Sequence, residues 1–493
     1  MTGRVLQRIN NAVFTDVKNT ALWVYLLVVL GSVCLSVSIE SFLPLAIPAG
    51  ILLLYWTIVD LKSVLFATFF TIPLSIELEL PGGLGLDAPV EPLTIGLLIL
   101  FVPWLLVHYK KLDSRFLMHP ITLFLIVHLA WMGLSVMNAA NPMISFKFYL
   151  SKMWYVGIYM IMAFYFFSTL DDYKKLFKII LIPLLLTILI VIFRHGVGYG
   201  FAYSDVNYVM GPFYRNHVAY AAIMVVFAPF LYFLYRSERM NGKSGLLYLI
   251  AGVILILGVY LSFTRAAYFA IVAAIGFGWI IRFRLTRLFY FSALGFACFL
   301  VIFLIEKNRY LELAPNYERT ITHNNFEDLV NATYQFQDIS TMERLYRWVA
   351  AFHMIKEKPL MGYGPGNFYT EYRSYTLRKF ETYVSDNPEK SGIHNYYLMI
   401  AIDQGIPGLI LFLTFVYVIL IMGERIYHAQ KDPLKKVLAL SAVSSIFVIL
   451  LLQVMNDLIE TDKIGPFFFV SLAILIHLHL NSPVVVPKNN TAG

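Results

Sequence analysis

The sequence predicts an all-α protein that crosses a membrane many times. Hydrophobic residues make up 59% of the 493 residues and charged residues only 14%, whereas soluble domains average about 45–50% apolar and about 25% charged residues. The mean hydropathy is +0.70. The apolar residues also form runs of about 20, which is the length that an α-helix needs to span a hydrocarbon core. These runs predict a polytopic bundle of about 12–14 membrane helices.

About fourteen segments are long and apolar enough to cross a bilayer. They lie near residues 21–38, 42–59, 62–79, 93–108, 120–138, 145–168, 175–193, 217–235, 245–263, 266–281, 287–305, 396–422, 436–455 and 464–480. The shortest joins between them fall near residues 40, 60 and 265.

Lysine and arginine concentrate in alternate loops, and this pattern orients the chain, because cytoplasmic loops of membrane proteins are enriched in basic residues. With the N-terminus inside, the short outer loops at 38–41, 77–92, 138–142 and 456–462 contain no basic residue. The inner loops contain Lys62, Lys110, Lys111, Arg115, Lys174, Lys175, Arg236, Arg239, Lys243, Arg282, Arg284, Arg287, Arg425, Lys431, Lys435 and Lys436. We expect both termini in the cytoplasm, and the net charge of +8 then needs no nucleic-acid partner.

One long polar segment divides the chain into three parts. Residues 1–305 would form the first eleven spans, residues 306–393 an outer loop domain, and residues 394–493 the last spans. Within the loop, Met342–Lys356 has apolar residues at helical spacing, and Pro359 and the following glycines end that helix. In the next segment, Pro407 and the paired glycines of Asp403–Gly408 predict an interruption of the helix.

Arginine is expected on the inner side, so Arg194, Arg215 and Arg265 on the outer side need an explanation. Arg265 stands between two apolar runs; it is either a boundary residue that reaches the interface or part of an anion site, because a guanidinium binds phosphate bidentately. Arg215 could equally be a residue at a helix start, with Asn216 as the N-cap. Arg344 and Arg347 lie three residues apart on the loop helix, where a solvated face is the simpler interpretation.

His394 lies at the entrance to the span that follows the loop. Histidine is the usual proton-transfer residue near neutral pH, although a single histidine is more often structural. Asn395 and Asp403 lie close enough in sequence to orient its ring. The competing histidines, His217, His323 and His353, have weaker sequence contexts.

The sequence shows no P-loop, no Gly-x-Ser-x-Gly motif, no His/Cys ligand set and no Asp-rich cluster. It therefore indicates no metal and no nucleotide cofactor.

Taken together, SFTRAAYFA, ERLYRWVAAFHMIKEKPLMGYGPGNF and HNYYLMIAIDQGIPGLILFL resemble the O-antigen ligase and polymerase superfamily of bacterial envelopes. That family has a Ser-Arg at a span start, Arg-x3-Trp running to Pro-Leu-x-Gly-x-Gly, then His-Asn and Glu-x-Gly-x-x-Gly-Leu at a span entry. GPFYRNHVAYAA is similar to an earlier element of the family. The resemblance covers about Gly211 to Leu413 and departs from the pattern at Thr264, for serine, and Asp403, for glutamate.

The resemblance implies a GT-C-like membrane glycosyltransferase with its active site on the periplasmic face of the bacterial inner membrane. Its donor would be a glycan linked to undecaprenyl diphosphate, its acceptor lipid A-core or another glycan, and its surroundings membrane lipids. Carried over to this chain, His394 would be the catalytic base, and Arg265 and Arg344 would stabilise the diphosphate leaving group. The residues that would contact substrate are Arg215, Arg347, Asn395, Tyr363 and Asp403.

The resemblance leaves the acceptor open. An O-antigen ligase that acts on lipid A-core leads, while a polymerase or a protein O-oligosaccharyltransferase of the same superfamily would share the chemistry. A flippase for lipid-linked glycans is the alternative from another class. It would need charged residues within many spans to line a path, whereas the unusual arginines here cluster on the predicted outer side.

Overall fold

The computed structural model of the chain describes residues 2–80, 84–111, 113–202, 205–242, 244–314, 339–381, 385 and 392–482. The chain forms two compact units, residues 1–65 and 66–493, and each is described by itself. Residues 315–338 of the loop lie outside the described residues. They include Asn325 and the competing His323.

The first unit consists of apolar helices. Helix α1 spans Thr2–Ser38, α2 spans Ala46–Val59, and α3, which begins in this unit, spans Leu61–Thr71. Tyr25 of α1 donates a hydrogen bond to the carbonyl of Pro48 in α2, over 3.3 Å. Breaks between helices fall near residues 40 and 60, where the sequence predicts short joins.

The second unit opens with a feature that differs from the predicted span at 62–79. The chain leaves the helix after Thr71 and forms an antiparallel hairpin of β1 (Ile76–Leu80) and β2 (Leu84–Ala88), in which Glu77 pairs with Asp87. The segment Ile-Glu-Leu-Glu-Leu alternates apolar and acidic residues, which is the period of a strand. A window that averages hydropathy extends the preceding helix into it.

The remaining α- and π-helical elements follow in chain order. They are α4 (Val90–Val107), α5 (Ser114–Leu117), α6 (Pro120–Met137), α7 (Pro142–Trp154), a π-helical segment (Tyr155–Met162), α8 (Ala163–Phe166), α9 (Leu170–Tyr199), α10 (Val206–Met210), α11 (His217–Met240), α12 (Leu246–Tyr260), α13 (Arg265–Arg282), α14 (Thr286–Ile305), α15 (Ile339–Glu357), α16 (Phe368–Glu371), α17 (Tyr396–Ala429), α18 (Pro433–Leu452) and α19 (Gly465–Leu480).

Nine helices within the described ranges are long and apolar enough to cross a membrane, and four shorter apolar helices accompany them. The predicted span at 145–168 is present as α7, the π-helical segment and α8 in direct succession. These findings confirm an all-α polytopic membrane protein. Helix α15 also confirms the predicted loop helix at Met342–Lys356.

The centre of the second unit is the packing of α11, α18 and α19. Serine side chains let α18 approach α11 closely: Ser441 and Ser445 donate to the carbonyl oxygens of Pro229 and Val226, over 2.6 and 2.9 Å. Small residues that allow such an approach, and that satisfy their hydroxyls on a neighbouring backbone, are typical of membrane helix interfaces.

The orientation of the bundle is a testable prediction. In a cysteine-free background with Cys34 and Cys298 replaced, Ser374→Cys should react with a membrane-impermeant maleimide in cells whose outer membrane is permeabilised, and Asn241→Cys should not. Both side chains are exposed, so accessibility does not separate them, and Ser374 lies in the loop domain whereas Asn241 follows α11. Labelling in the reverse pattern would contradict the predicted topology.

Candidate active site

The site forms where the loop domain meets the beginnings of α11, α13 and α17. Helix α11 begins at His217 with Asn216 as its N-cap, whose Oδ1 accepts from the backbone N–H of Ala219 over 2.9 Å. This confirms the predicted cap. Arg215, one residue earlier, is exposed.

His217 is held firmly at this helix start. Its backbone N–H donates to Asn207 Oδ1 over 3.1 Å, and its ring Nδ1 lies 2.7 Å from the same oxygen. Because an amide oxygen can only accept, Nδ1 carries the proton, and the neutral ring keeps Nε2 as an acceptor. The carbonyl of His217 accepts from the hydroxyl of Thr264 over 3.2 Å, which fixes the start of α13 beside it.

Arg265 is the first residue of α13 and follows directly on this contact. The preceding Phe263 has a left-handed backbone, with φ of 51°, and the chain turns sharply there between α12 and α13. Arg265 and Arg344 both lie within electrostatic range of His217. Arg265 and Arg344, two of the predicted diphosphate-binding arginines, are 79 positions apart in the sequence. The structure brings both near His217.

Helix α15 carries Arg344 and, one turn further, two residues that hold the segment before His394. Arg347 donates to the carbonyl of Gly392 over 3.1 Å, and Trp348 Nε1 donates to the carbonyl of Ile393 over 3.1 Å. Arg347 is buried and pairs with Glu343 at 3.4 Å. The contact with substrate predicted for Arg347 remains a prediction; the structure gives this side chain a positioning role.

His394 itself has a left-handed backbone, with φ of 55°, which is uncommon for a residue other than glycine. Asn395 caps α17, accepting from Leu398 N–H over 3.0 Å and donating to the carbonyl of Val454 over 3.0 Å. The backbone before His394 is therefore held by hydrogen bonds from α15, and the residue after it caps α17. Such over-determined local strain is often found at functional sites.

The electrostatic setting of His394 is strongly cationic. Burial, together with the charges of Arg344 and Arg347, lowers the pKa of His394 to about 4. A histidine with this pKa is neutral at pH 7, so it can accept a proton. The same charges form the surroundings in which a diphosphate would be stabilised.

Asp457, which no pattern in the sequence singles out, completes the group. It lies in the segment between α18 and α19, and its Oδ2 would be 2.6 Å from a Cβ placed on Gly392. Burial raises the pKa of Asp457, while Arg215 and Arg347 act in the opposite direction. An acid that faces two arginines and the backbone next to His394 is a second candidate for orienting the site.

Tyr363 and Asp403 lie in the contact between α17 and the glycine-rich turn at residues 362–366. Tyr363 is 2% exposed, donates its backbone N–H to the carbonyl of Ile402 over 2.8 Å, and donates its hydroxyl to Tyr375 over 2.8 Å. Asp403 is 4% exposed, and its Oδ2 lies 3.5 Å from Gly366 N. The substrate contacts predicted for these two residues remain predictions, and their burial favours a packing role.

The predicted interruption of α17 is present as a kink at Gly405, whose φ is 70°. Next to the kink, the backbone N–H of Ile406 donates to the carbonyl of Pro359 over 2.7 Å. This hydrogen bond joins the kink to the segment that follows α15. The opposite partner is Gly362, with φ of 69°, where a Cβ would overlap the carbonyl oxygen of Ile402. The kink and the turn therefore require one another.

We expect Gly362→Ala to destabilise the protein strongly, because alanine at a positive φ is strained and its methyl group has no space. The expected loss is more than about 2 kcal/mol, as for other substitutions that combine backbone strain with overpacking. The unfolding temperature and the yield of purified protein measure the effect. Gly242→Ala, at another positive φ but with no atom within 4 Å of the new Cβ, is the matched control. Equal losses in both variants would show that backbone strain alone is responsible.

A comparison with protein families bears on what this group does. Residues 250–413 match the family model described as O-Antigen ligase, a segment that contains Arg265, Arg344 and His394 and ends within α17. No curated protein sequence matches the chain. This match confirms the resemblance that the motifs indicate: residues 250–413 are similar to the O-antigen ligase family.

Proposed function

We propose that this protein is an O-antigen ligase that transfers a glycan from undecaprenyl diphosphate to a hydroxyl group of lipid A-core. The observation that carries the proposal is the arrangement of arginine charge around two histidines, of which His394 lies within the family segment. Arg344 acts electrostatically on both His217 and His394, and Arg265 acts on His217. A group of fixed guanidinium ions beside a neutral histidine suits a reaction that expels a diphosphate and needs one proton removed.

The proposed step is a single displacement. The acceptor hydroxyl oxygen attacks the anomeric carbon of the donor, its proton passes to His394, and the bond from that carbon to the diphosphate oxygen breaks with its electron pair leaving on undecaprenyl diphosphate. Because there is one displacement, the anomeric configuration inverts. Arg265 and Arg344 stabilise the charge that develops on the leaving group, which is the role a metal ion plays in many phosphoryl sites.

The other residues of the site hold these three in place. Arg347 and Trp348 fix the backbone before His394, and Asn395 caps the helix that follows it. The charges of Arg347 and the exposed Arg215 both act on Asp457. Exposure makes Arg215 suitable for meeting the donor as it arrives from the membrane. The membrane in question, in this proposal, is the bacterial inner membrane, with a GT-C-like arrangement and the site on its periplasmic face.

The choice of acceptor requires an experiment in the native strain. Deletion of the gene, followed by gel analysis of lipopolysaccharide, should abolish the polymer ladder on lipid A-core and cause carrier-linked polymer to accumulate. Cores that carry a single repeat unit would instead indicate a polymerase. An unchanged ladder with loss of glycan from secreted proteins would indicate a protein O-oligosaccharyltransferase.

A reconstituted system separates an enzyme from a flippase. The purified protein, a carrier-linked donor and lipid A-core in detergent should give glycosylated core without ATP and without a second protein. In detergent no compartment boundary exists, so a flippase would produce no transfer. Donor left intact under these conditions would contradict the proposal.

A further inference from the structure

Three carboxylates meet in a corner of the second unit outside the arginine and histidine group. Asp87 lies in β2, Glu91 in the first turn of α4, and Asp462 in the turn that precedes α19. One oxygen from each lies within 4.8 Å of the others. Asp462 is 371 positions from Glu91. The three acids therefore form no recognisable ligand motif, and the sequence alone indicates no metal.

Asp462 is buried with part of its carboxylate unsatisfied. Asp462 is only 6% exposed. Its Oδ1 accepts a hydrogen bond from the hydroxyl of Tyr155. Its Oδ2 is buried and has no hydrogen-bond partner within the described part of the chain. A buried carboxylate oxygen without a donor costs free energy unless a proton or a cation reaches it.

The neighbouring acids of the same turn show what Asp462 lacks. Glu460 pairs with Lys152 and accepts from Tyr396 over 2.7 Å, and Asp457 faces Arg215 and Arg347. Asp462 instead has Asp87 and Glu91 beside it. The adjacent Lys463 uses its ammonium on the carbonyl oxygens of Ile72 and Ser75, each at 2.7 Å, and forms no ion pair with the described acids.

Lys463 acts electrostatically on Asp87 and Asp462, but its ammonium hydrogen bonds go to backbone carbonyls. The hydroxyl of Ser75, whose own carbonyl binds Lys463, is also buried without a hydrogen-bond partner within the described ranges. Two unsatisfied polar groups and three converging acids point to something that this corner binds.

We propose that Asp87, Glu91 and Asp462 bind one hard divalent cation, with Ca²⁺ as the best fit. The donor set consists entirely of carboxylate oxygen, which hard cations prefer to nitrogen and sulfur. Three carboxylates can supply three to six oxygens, and water completes the six to eight that Ca²⁺ takes in its flexible geometry. Mg²⁺ is a poorer match because it demands near-octahedral ligands at a shorter distance.

The cation would brace the turn that supports the active site rather than take part in the reaction. Residues 453–464 join α18 to α19. The same turn carries Asp457 against Gly392 and Glu460 on Lys152 and Tyr396. Fixing Asp462 to the hairpin and to α4 therefore fixes the far side of that turn. The inference does not depend on the acceptor or on the identity of the glycan.

The test uses the purified full-length protein in nanodiscs after treatment with EDTA and removal of the chelator. Titration with Ca²⁺ alone, followed by calorimetry and by the unfolding temperature, should show one saturable site, with a dissociation constant of about 10⁻⁴–10⁻³ M as in extracellular modules. The unfolding temperature should rise with Ca²⁺. Asp462→Asn and Glu91→Gln should each weaken binding at least about 10-fold, since even outer-shell changes at metal sites cost that much.

Asp171→Asn is the matched control, because it removes one carboxylate that is 88% exposed and should leave Ca²⁺ binding unchanged. Asp462→Asn relieves repulsion among the acids, so without Ca²⁺ it should unfold no earlier than the wild-type protein. If that variant does not fold, Glu91→Gln, which alters a half-buried residue, gives the same comparison.

Two results would overturn the proposal. One is a wild-type protein that neither binds Ca²⁺ nor gains stability from it. The other is Ca²⁺ binding of wild-type strength in both Asp462→Asn and Glu91→Gln, which would place the cation elsewhere.

Discussion

Arg344→Ala should lower the rate of glycan transfer about 100- to 1000-fold, the loss typical of removing one preorganised donor from a developing oxyanion. Arg344 is expected to have the largest effect among the arginines because its charge reaches both histidines of the site. Arg265→Ala should lose a similar factor. In each case Lys should restore only part of the rate, since an ammonium ion cannot replace the two parallel hydrogen bonds of a guanidinium.

The measurement is transfer by purified protein with a defined carrier-linked donor, at saturating acceptor. Arg378→Ala is a suitable control, because Arg378 is an exposed arginine of the same loop domain and its loss should leave the rate near that of the wild type. The unfolding temperature of each variant identifies arginines that are merely structural. Wild-type turnover in folded Arg344→Ala protein would remove Arg344 from the mechanism.

A double variant distinguishes a shared target from two separate roles. If Arg265 and Arg344 contact the same diphosphate, Arg265→Ala/Arg344→Ala should lose less than the product of the two single losses, because residues that act as a unit are not additive. Multiplying losses would mean that the two arginines act independently. Arg347→Ala behaves differently in our account: it removes the cation that pairs with the buried Glu343 and leaves the Gly392 carbonyl without its donor, so the stability should fall first.

The sequence alone predicts much of this site because its strongest signals are local. Arg265 and Arg344 break the expected distribution of charge or belong to a motif, and His394 begins a span. Asn216 and the kink at Gly405 follow from capping and from the conformations of proline and glycine. The structure places Asn216, Arg265 and His394 at or next to helix starts, where short-range patterns are informative.

What the sequence does not reveal depends on contacts between distant segments. His217 was only a competing histidine; its importance comes from Arg344, 127 positions away. Asp457 lay in a loop that was informative only for its lack of basic residues, and its proximity to Gly392 depends on the packing of α17 and α18. The predicted span at 62–79 extends into the hairpin at Ile76–Ala88. Averaging hydropathy over a long window hides the alternation of apolar and acidic residues in a five-residue strand.

His394→Ala should slow transfer about 100- to 10,000-fold, the range for loss of a general base, while the carrier-linked donor still binds because the arginines remain. His394→Gln is the sharper variant, since it keeps a hydrogen-bonding group without basicity. Near-normal turnover in His394→Gln would eliminate the base and leave a site that acts through positioning and leaving-group stabilisation. Asn207→Ala, which releases His217 but not His394, should have a smaller effect and serves as the comparison.

The pH dependence gives a second, independent test of His394. A free histidine would place the ascending limb near pH 6.5, but burial and the charges of Arg344 and Arg347 lower the pKa of His394 to about 4. Because the base works when unprotonated, kcat/KM, which reports the free enzyme, should fall only as the pH drops through about 4. Bound diphosphate offsets the arginine charges and raises this pKa, so the limb in kcat should lie at higher pH than the limb in kcat/KM. Both limbs should vanish in His394→Gln, and a limb that persists unchanged there would belong to another group, with Asp457 the first to examine.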